Sequence, residues 1–155
     1  MEHKEFLIRA IRLAEDGIKN GGGPFGAVIV LNGEIISEAN NRVVISNNPT
    51  AHAEILAIQQ ASKVLGTHIL ADCTLYASCE PCPMCLGAIY WSGIKTVFFA
   101  ADRRDAEAAG FSDKLIYDEI YLSPEKRQVL FKQITDVDGI EVFRIWNEFE
   151  NKIPY

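Results

Sequence analysis

The chain has no surplus of positive charge. Lys plus Arg number 15 against 21 Asp plus Glu, a net charge of −6. Binding driven by phosphate contacts needs clustered cations, so a generic nucleic-acid binder is disfavoured. The tightest basic pair, Arg103-Arg104, is flanked by Asp102 and Asp105. No apolar run approaches the roughly 20 residues of a membrane-spanning helix. The start, Met1-Glu2-His3-Lys4-Glu5-Phe6, lacks a basic segment followed by an apolar one. No secretory signal is therefore visible, and a cytoplasmic, reducing location is expected. Internal repeats, low-complexity tracts and linkers rich in Pro, Gly or Ser are missing, so the 155 residues are expected to form one domain, 1–155. At 48% hydrophobic residues the chain is too apolar for intrinsic disorder. Four cysteines are few for a disulfide scaffold, yet Cys79, Cys82 and Cys85 are clustered. In a reducing compartment clustered thiols point to metal.

The apolar periodicity predicts a sequence of elements. Leu7, Ala10, Ile11, Ala14 and Ile18 are spaced as a helix face over 4–19, and Asn20-Gly21-Gly22-Gly23-Pro24 stops it. Ala27–Leu31 reads as a buried strand, Asn32-Gly33 as a two-residue hairpin turn, and Glu34–Ala39 as the returning strand. A helix over about 51–65, with Thr50 as its cap, is expected to bury Ala53, Ala57, Ala61, Val64 and Leu65. Strands follow at 74–77 and 96–100, separated by a helix that Pro83 opens and that runs to about Ser92. Beyond Ala100 the pattern predicts helices near 113–120 and 140–150 and a fifth strand near 130–135. Strands alternating with helices imply a three-layer α/β/α sandwich around a mixed five-stranded sheet.

Cys82 and Cys85 stand three residues apart at a helix start, so one turn brings both sulfurs to one ion. The helix N-terminus favours thiolate, the species zinc requires. His52, at another predicted helix start, adds an imidazole. Two thiolates and one imidazole make a three-ligand zinc site whose fourth position is open to water. Zinc brings the pKa of such a water to near 7, and Glu54 is then the obvious proton carrier. Residues i and i+2 do not face each other along a helix, so His52 and Glu54 can share one ion only off the helix tip. A closed structural site using Cys79, Cys82, Cys85 and His52 is the main alternative. An iron–sulfur cluster would need a cysteine where Ile89 stands. Cys73 reads as a buried core thiol.

His52-Ala53-Glu54 followed by Pro81-Cys82-Pro83-Met84-Cys85 resembles the signature of the zinc-dependent nucleobase and nucleoside deaminases. Gly23–Val28 and Cys85–Ile89 look like the same family. Within it, Tyr90-Trp91, Ala109-Gly110-Phe111-Ser112-Asp113 and the C-terminal Lys152-Ile153-Pro154-Tyr155 look most like the small bacterial guanine deaminases. The resemblance implies a cytidine deaminase-like fold, a single nucleobase deaminase domain over 1–155, and one Zn²⁺ per chain held by His52, Cys82 and Cys85. It implies Glu54 as proton shuttle and Asp113 as second acid near the leaving amino group. Phe25, Asn41, Ala53, Trp91 and Tyr155 are implied as substrate-binding residues, with the tail, about 150–155, closing the site. Ser112 stands where some relatives carry a second acid.

The implied reaction is hydrolytic deamination of guanine to xanthine and ammonia. Its alternatives are a tRNA adenosine deaminase, which the charge of −6 disfavours, and a cytidine or cytosine deaminase. A non-catalytic zinc-stabilised interaction domain belongs to another class and would have no use for Glu54. A small purine base is the expected partner. A homodimer is expected too, with its C-terminal segment open to exchange, and neither membrane nor nucleic acid.

Overall fold

The structure is a computed structural model that describes residues 2–155. The chain forms two compact units, the first ending at Asp113 and the second spanning Lys114–Tyr155.

The first unit runs α1 (His3–Lys19), β1 (Gly26–Leu31), β2 (Glu34–Asn40), α2 (Val43–Ser46), α3 (Ala53–Leu65), β3 (Thr74–Cys79), α4 (Pro83–Trp91), β4 (Thr96–Ala101) and α5 (Arg103–Ala108). The strands form one sheet in the order β2-β1-β3-β4. Asn32 and Gly33, both at positive φ (52° and 80°), make the expected tight turn between β1 and β2. β1 pairs antiparallel with β2 and with β3, while β3 and β4 run parallel. The crossover through α3 therefore returns parallel to β2 but one strand over, and the crossover through α4 joins adjacent strands.

β1 is buried along nearly its whole length because both faces of the sheet are covered. Val28 and Val30 pack with Phe6 and Ala10 of α1 and with Tyr76. Ala27 and Ile29 pack with Ala53, Ala57, Ile58 and Ala61 of α3, with Leu75 and with Ile89 of α4. A Cβ on Gly26 would stand 2.1 Å from the Ala10 carbonyl oxygen, so α1 lies directly on the backbone of β1. The predicted three-layer α/β/α arrangement is present.

The sheet has four strands rather than five. Leu130–Thr135, the expected fifth strand, pairs with no strand among the described residues, and an extended segment without a ladder partner is not a strand. The cap of α3 is His52, not Thr50, whose amide and hydroxyl both donate to Asn48. Val64 is exposed rather than buried, because α3 faces the sheet through Ala53, Ala57 and Ala61. The short helices α2 and α5 carry too little periodicity to be read from the sequence.

The second unit contains α6 (Lys114–Ile120), a short 3₁₀ turn at Pro124–Lys126, and α7 (Glu141–Glu148). None of its described residues is buried. Among the described residues no helix is long and apolar enough to cross a membrane.

Candidate active site

The site is assembled from two helix starts. His52 is the N-cap of α3 and Cys82 the N-cap of α4, with Pro83 in the first turn behind it. Neither cap side chain makes a capping hydrogen bond, so both are available for other chemistry. Cys85 stands one turn into α4. This resolves the spacing problem of His52 and Glu54, because the shared point lies off the tip of α3 rather than beside it.

Three donor atoms meet there. His52 Nδ1 is 3.5 Å from Cys82 Sγ and 3.6 Å from Cys85 Sγ, and the two sulfurs are 3.6 Å apart. Zinc with bonds of about 2.3 Å to sulfur and about 2.0 Å to nitrogen needs tetrahedral edges of about 3.5–3.8 Å. The three donors thus form one face of a zinc tetrahedron, and donor set and spacing both fit the ion. The hydrogen bond shared with Cys85 holds the Cys82 thiol down at about 4. That same bond, together with burial, pushes the Cys85 thiol up. The bond to Cys82 also raises His52.

Glu54, in the first turn of α3, is 5% exposed, and Cys85 Sγ donates to its Oε2 at 3.5 Å. Burial raises its carboxyl above the usual range. A buried acid beside the donor face, but outside the donor trio, is placed to hold a proton rather than a metal.

Cys79 is buried with its thiol directed to the Asp102 carbonyl oxygen at 3.5 Å, and burial pushes it up to about 11. It is outside the donor trio, which leaves the closed four-ligand alternative without its fourth protein ligand.

The remaining expected residues are distributed as follows. Phe25 and Asn41 are neighbours, since the Asn41 amide donates to the Phe25 carbonyl oxygen at 2.9 Å. The Phe25 ring meets Phe111 edge-on at 5.0 Å between centroids. Asn41 is buried, and its Oδ1 accepts from the Val43 amide at 3.2 Å. Ala53 is fully buried at the first position of α3. Asp113 is half-buried; burial raises its carboxyl, and the nearby Cys82 charge adds to the shift, so it lies within electrostatic reach of the donors. Trp91 ends α4 and is 69% exposed. Tyr155 ends the second unit. An apolar groove of about 360 Å³, lined by Ile18, Phe25, Cys79, Ala101 and Phe111 among others, contains none of the three donors. The facing position of Phe111 was not read as part of the site. Its signal was present in the Gly110-Phe111-Ser112-Asp113 run, but only the acid there carried an obvious role.

Known proteins place this geometry in context. The family described as the cytidine and deoxycytidylate deaminase zinc-binding region matches residues 1–101. A guanine deaminase from Bacillus subtilis is 54% identical over the full length of both chains. The crystal structure of guanine deaminase from Bacillus subtilis superposes with a TM-score of 0.98, covering 100% of this chain and 99% of that one. A tRNA-specific adenosine deaminase from Bacillus subtilis is 40% identical over 74% of this chain and 71% of its own. The matched residues contain every donor of the zinc face together with Glu54, and so the chain belongs to the cytidine and deoxycytidylate deaminase family of zinc-binding enzymes.

Proposed function

We propose that the protein hydrolyses guanine to xanthine and ammonia with one zinc ion per chain, held by His52, Cys82 and Cys85. The observation that carries this reading is the open three-donor face with the Glu54 carboxylate 3.5 Å from one of its sulfurs. Full-length likeness to a guanine deaminase, against partial likeness to a tRNA-specific adenosine deaminase, supports the free base as substrate.

Bound at this face, zinc supplies activation of a water for nucleophilic attack at neutral pH. Glu54 takes a proton from the attacking water as its oxygen adds to C2, and delivers it to ring nitrogen N3. The exocyclic nitrogen must then be protonated before the C2–N bond breaks and ammonia leaves. Glu54 or Asp113 carries to it the remaining proton of the added oxygen, so that a carbonyl forms at C2 as the bond to nitrogen breaks. Asn41 pairs with the polar edge of the purine and Phe25 stacks on its ring. Ala53 and Trp91 complete the assigned contacts. The tail, about 150–155 with Tyr155 at its end, closes the site over a base that carries no ribose.

The whole chain, 1–155, then works as a single nucleobase deaminase in the cytoplasm, as a homodimer that exchanges its C-terminal segment. Support for the dimer comes from the second unit, where Phe143, Trp146 and Phe149 are at least 40% exposed. A second copy of the chain would cover them.

The test is ammonia release from purified, zinc-loaded protein offered guanine, adenine, cytosine, cytidine and a tRNA anticodon stem-loop. Guanine is expected to be turned over fastest. Turnover of the stem-loop or of cytidine without guanine overturns the assignment.

A further inference from the structure

Gly22 and Gly23, in the loop after α1, pack against Asn41 just beyond β2. Gly22 donates to the Gly17 carbonyl oxygen at 2.8 Å, closing the helix, and Phe25 donates to the Gly23 carbonyl oxygen at 2.9 Å. The Asn41 amide donates in turn to the Phe25 carbonyl oxygen. The glycine loop is therefore tied through its backbone to both residues assigned to the base.

Gly21 has a φ of +83° with open space around it, so its requirement is conformational. Gly23 differs. It is not among the positive-φ glycines, so its backbone accepts an alanine. Its space does not. A Cβ there would stand 2.9 Å from Asn41 Oδ1 and 3.0 Å from Asn41 Cγ, but 3.4 Å from Asn41 Cβ. At Gly22 the obstruction is the backbone itself, with the Asn41 carbonyl oxygen 2.4 Å from a Cβ. Only at Gly23 does the conflict fall on a side-chain amide.

That amide cannot yield without consequence. It is buried, and its Oδ1 is committed to the Val43 amide. With the oxygen so held, the NH₂ is the end left to donate to a purine acceptor. A shift of a few tenths of an ångström at Oδ1 rotates the donor direction. We infer that Gly23 is a positioning residue for guanine: its missing side chain sets the orientation of the Asn41 amide, which the base then meets. The inference rests on Asn41 being the base-pairing residue.

The test is a double-mutant cycle on the zinc-loaded, full-length protein with G23A, N41A and G23A/N41A, reading KM and kcat for guanine, zinc content and thermal midpoint. G23A is expected to raise KM about tenfold, to change kcat less than about threefold, and to keep its zinc. In the N41A background Oδ1 and Cγ are gone and the remaining contact is an ordinary 3.4 Å, so adding G23A is expected to cost no more than about twofold. Equal losses in both backgrounds, or no loss from G23A while N41A itself raises KM, overturn the inference and leave the reading of Asn41 standing. A normal KM for N41A overturns the reading of Asn41, and the inference with it. If G23A fails to fold and G23A/N41A folds, the contact with the Asn41 amide is upheld. If neither folds, Gly23 serves the backbone and the inference fails.

Discussion

Leu75 and Trp146 mark the contrast between the two compact units. Leu75 in β3 is fully buried on the α3 side of the sheet, and most of β1 and β3 is buried with it. Trp146, on the amphipathic helix α7, is 40% exposed, and its neighbours Phe143 and Phe149 are more so. An eight-residue helix is too short to persist in water on its own propensity. The first unit thus carries the reasons for its own fold, and its site is built on rigid helix starts. The second has the apolar surface of a packed element without the burial, which is the property of a segment completed by another surface.

The comparison can be broken or sharpened by perturbing each side. The largest effect is expected from Cys82→Ala, which opens the donor face and should remove zinc and activity together; elemental analysis showing full zinc retention would refute the assignment. Glu54→Gln should keep zinc while lowering kcat by about 10²–10⁴-fold. A variant with near wild-type turnover would take proton transfer away from Glu54. Next, Leu75→Ala should cost about 2–5 kcal/mol of stability through the cavity it leaves. The paired change Phe143→Ser and Trp146→Ser should instead shift the oligomer toward monomers, read by light scattering, with a smaller thermal shift. The reverse ranking would mean that the second unit supplies the core. Deleting Ile153-Pro154-Tyr155 should raise KM for guanine with zinc unchanged, and unchanged kinetics would sink the lid. The smallest effect belongs to Cys79→Ser. Its thiol is directed to the Asp102 carbonyl oxygen and lies outside the donor trio, so zinc and turnover should stay near wild type. Loss of zinc equal to that of Cys82→Ala would restore the four-ligand alternative.

The same contrast explains what could be read from the sequence. Ala27–Leu31, the Asn32-Gly33 turn and the Cys82/Cys85 spacing are local signals. Each is decided by residues within one turn or one strand, and each appears where expected. The donor trio needed one further step, because His52 is thirty positions away; two helix starts aimed at one point supplied it. The fifth strand was illegible for the opposite reason. Leu130, Phe131 and Ile134 make the segment apolar enough for a strand, but pairing is decided by a neighbour that the segment does not contain. Val64 misled because α3 turns its alanines, not its largest side chains, toward the sheet. The role of Gly23 was hidden as well, since a glycine run before a proline reads as a helix stop, and only the distance to Asn41 Oδ1 distinguishes it from its neighbours.

His52 and Cys82 occupy positions where a Ser, Thr, Asp or Asn would ordinarily bond a first-turn amide and stabilise its helix by about 1 kcal/mol. Neither does so. A bound ion would tie the start of α3 to the start of α4 through His52, Cys82 and Cys85. Chelation should be written first as faster amide exchange at residues 53–56 and 83–86, with the sheet beneath still protected. Loss of the ion is thus expected to be felt at two helix tips before it reaches global stability.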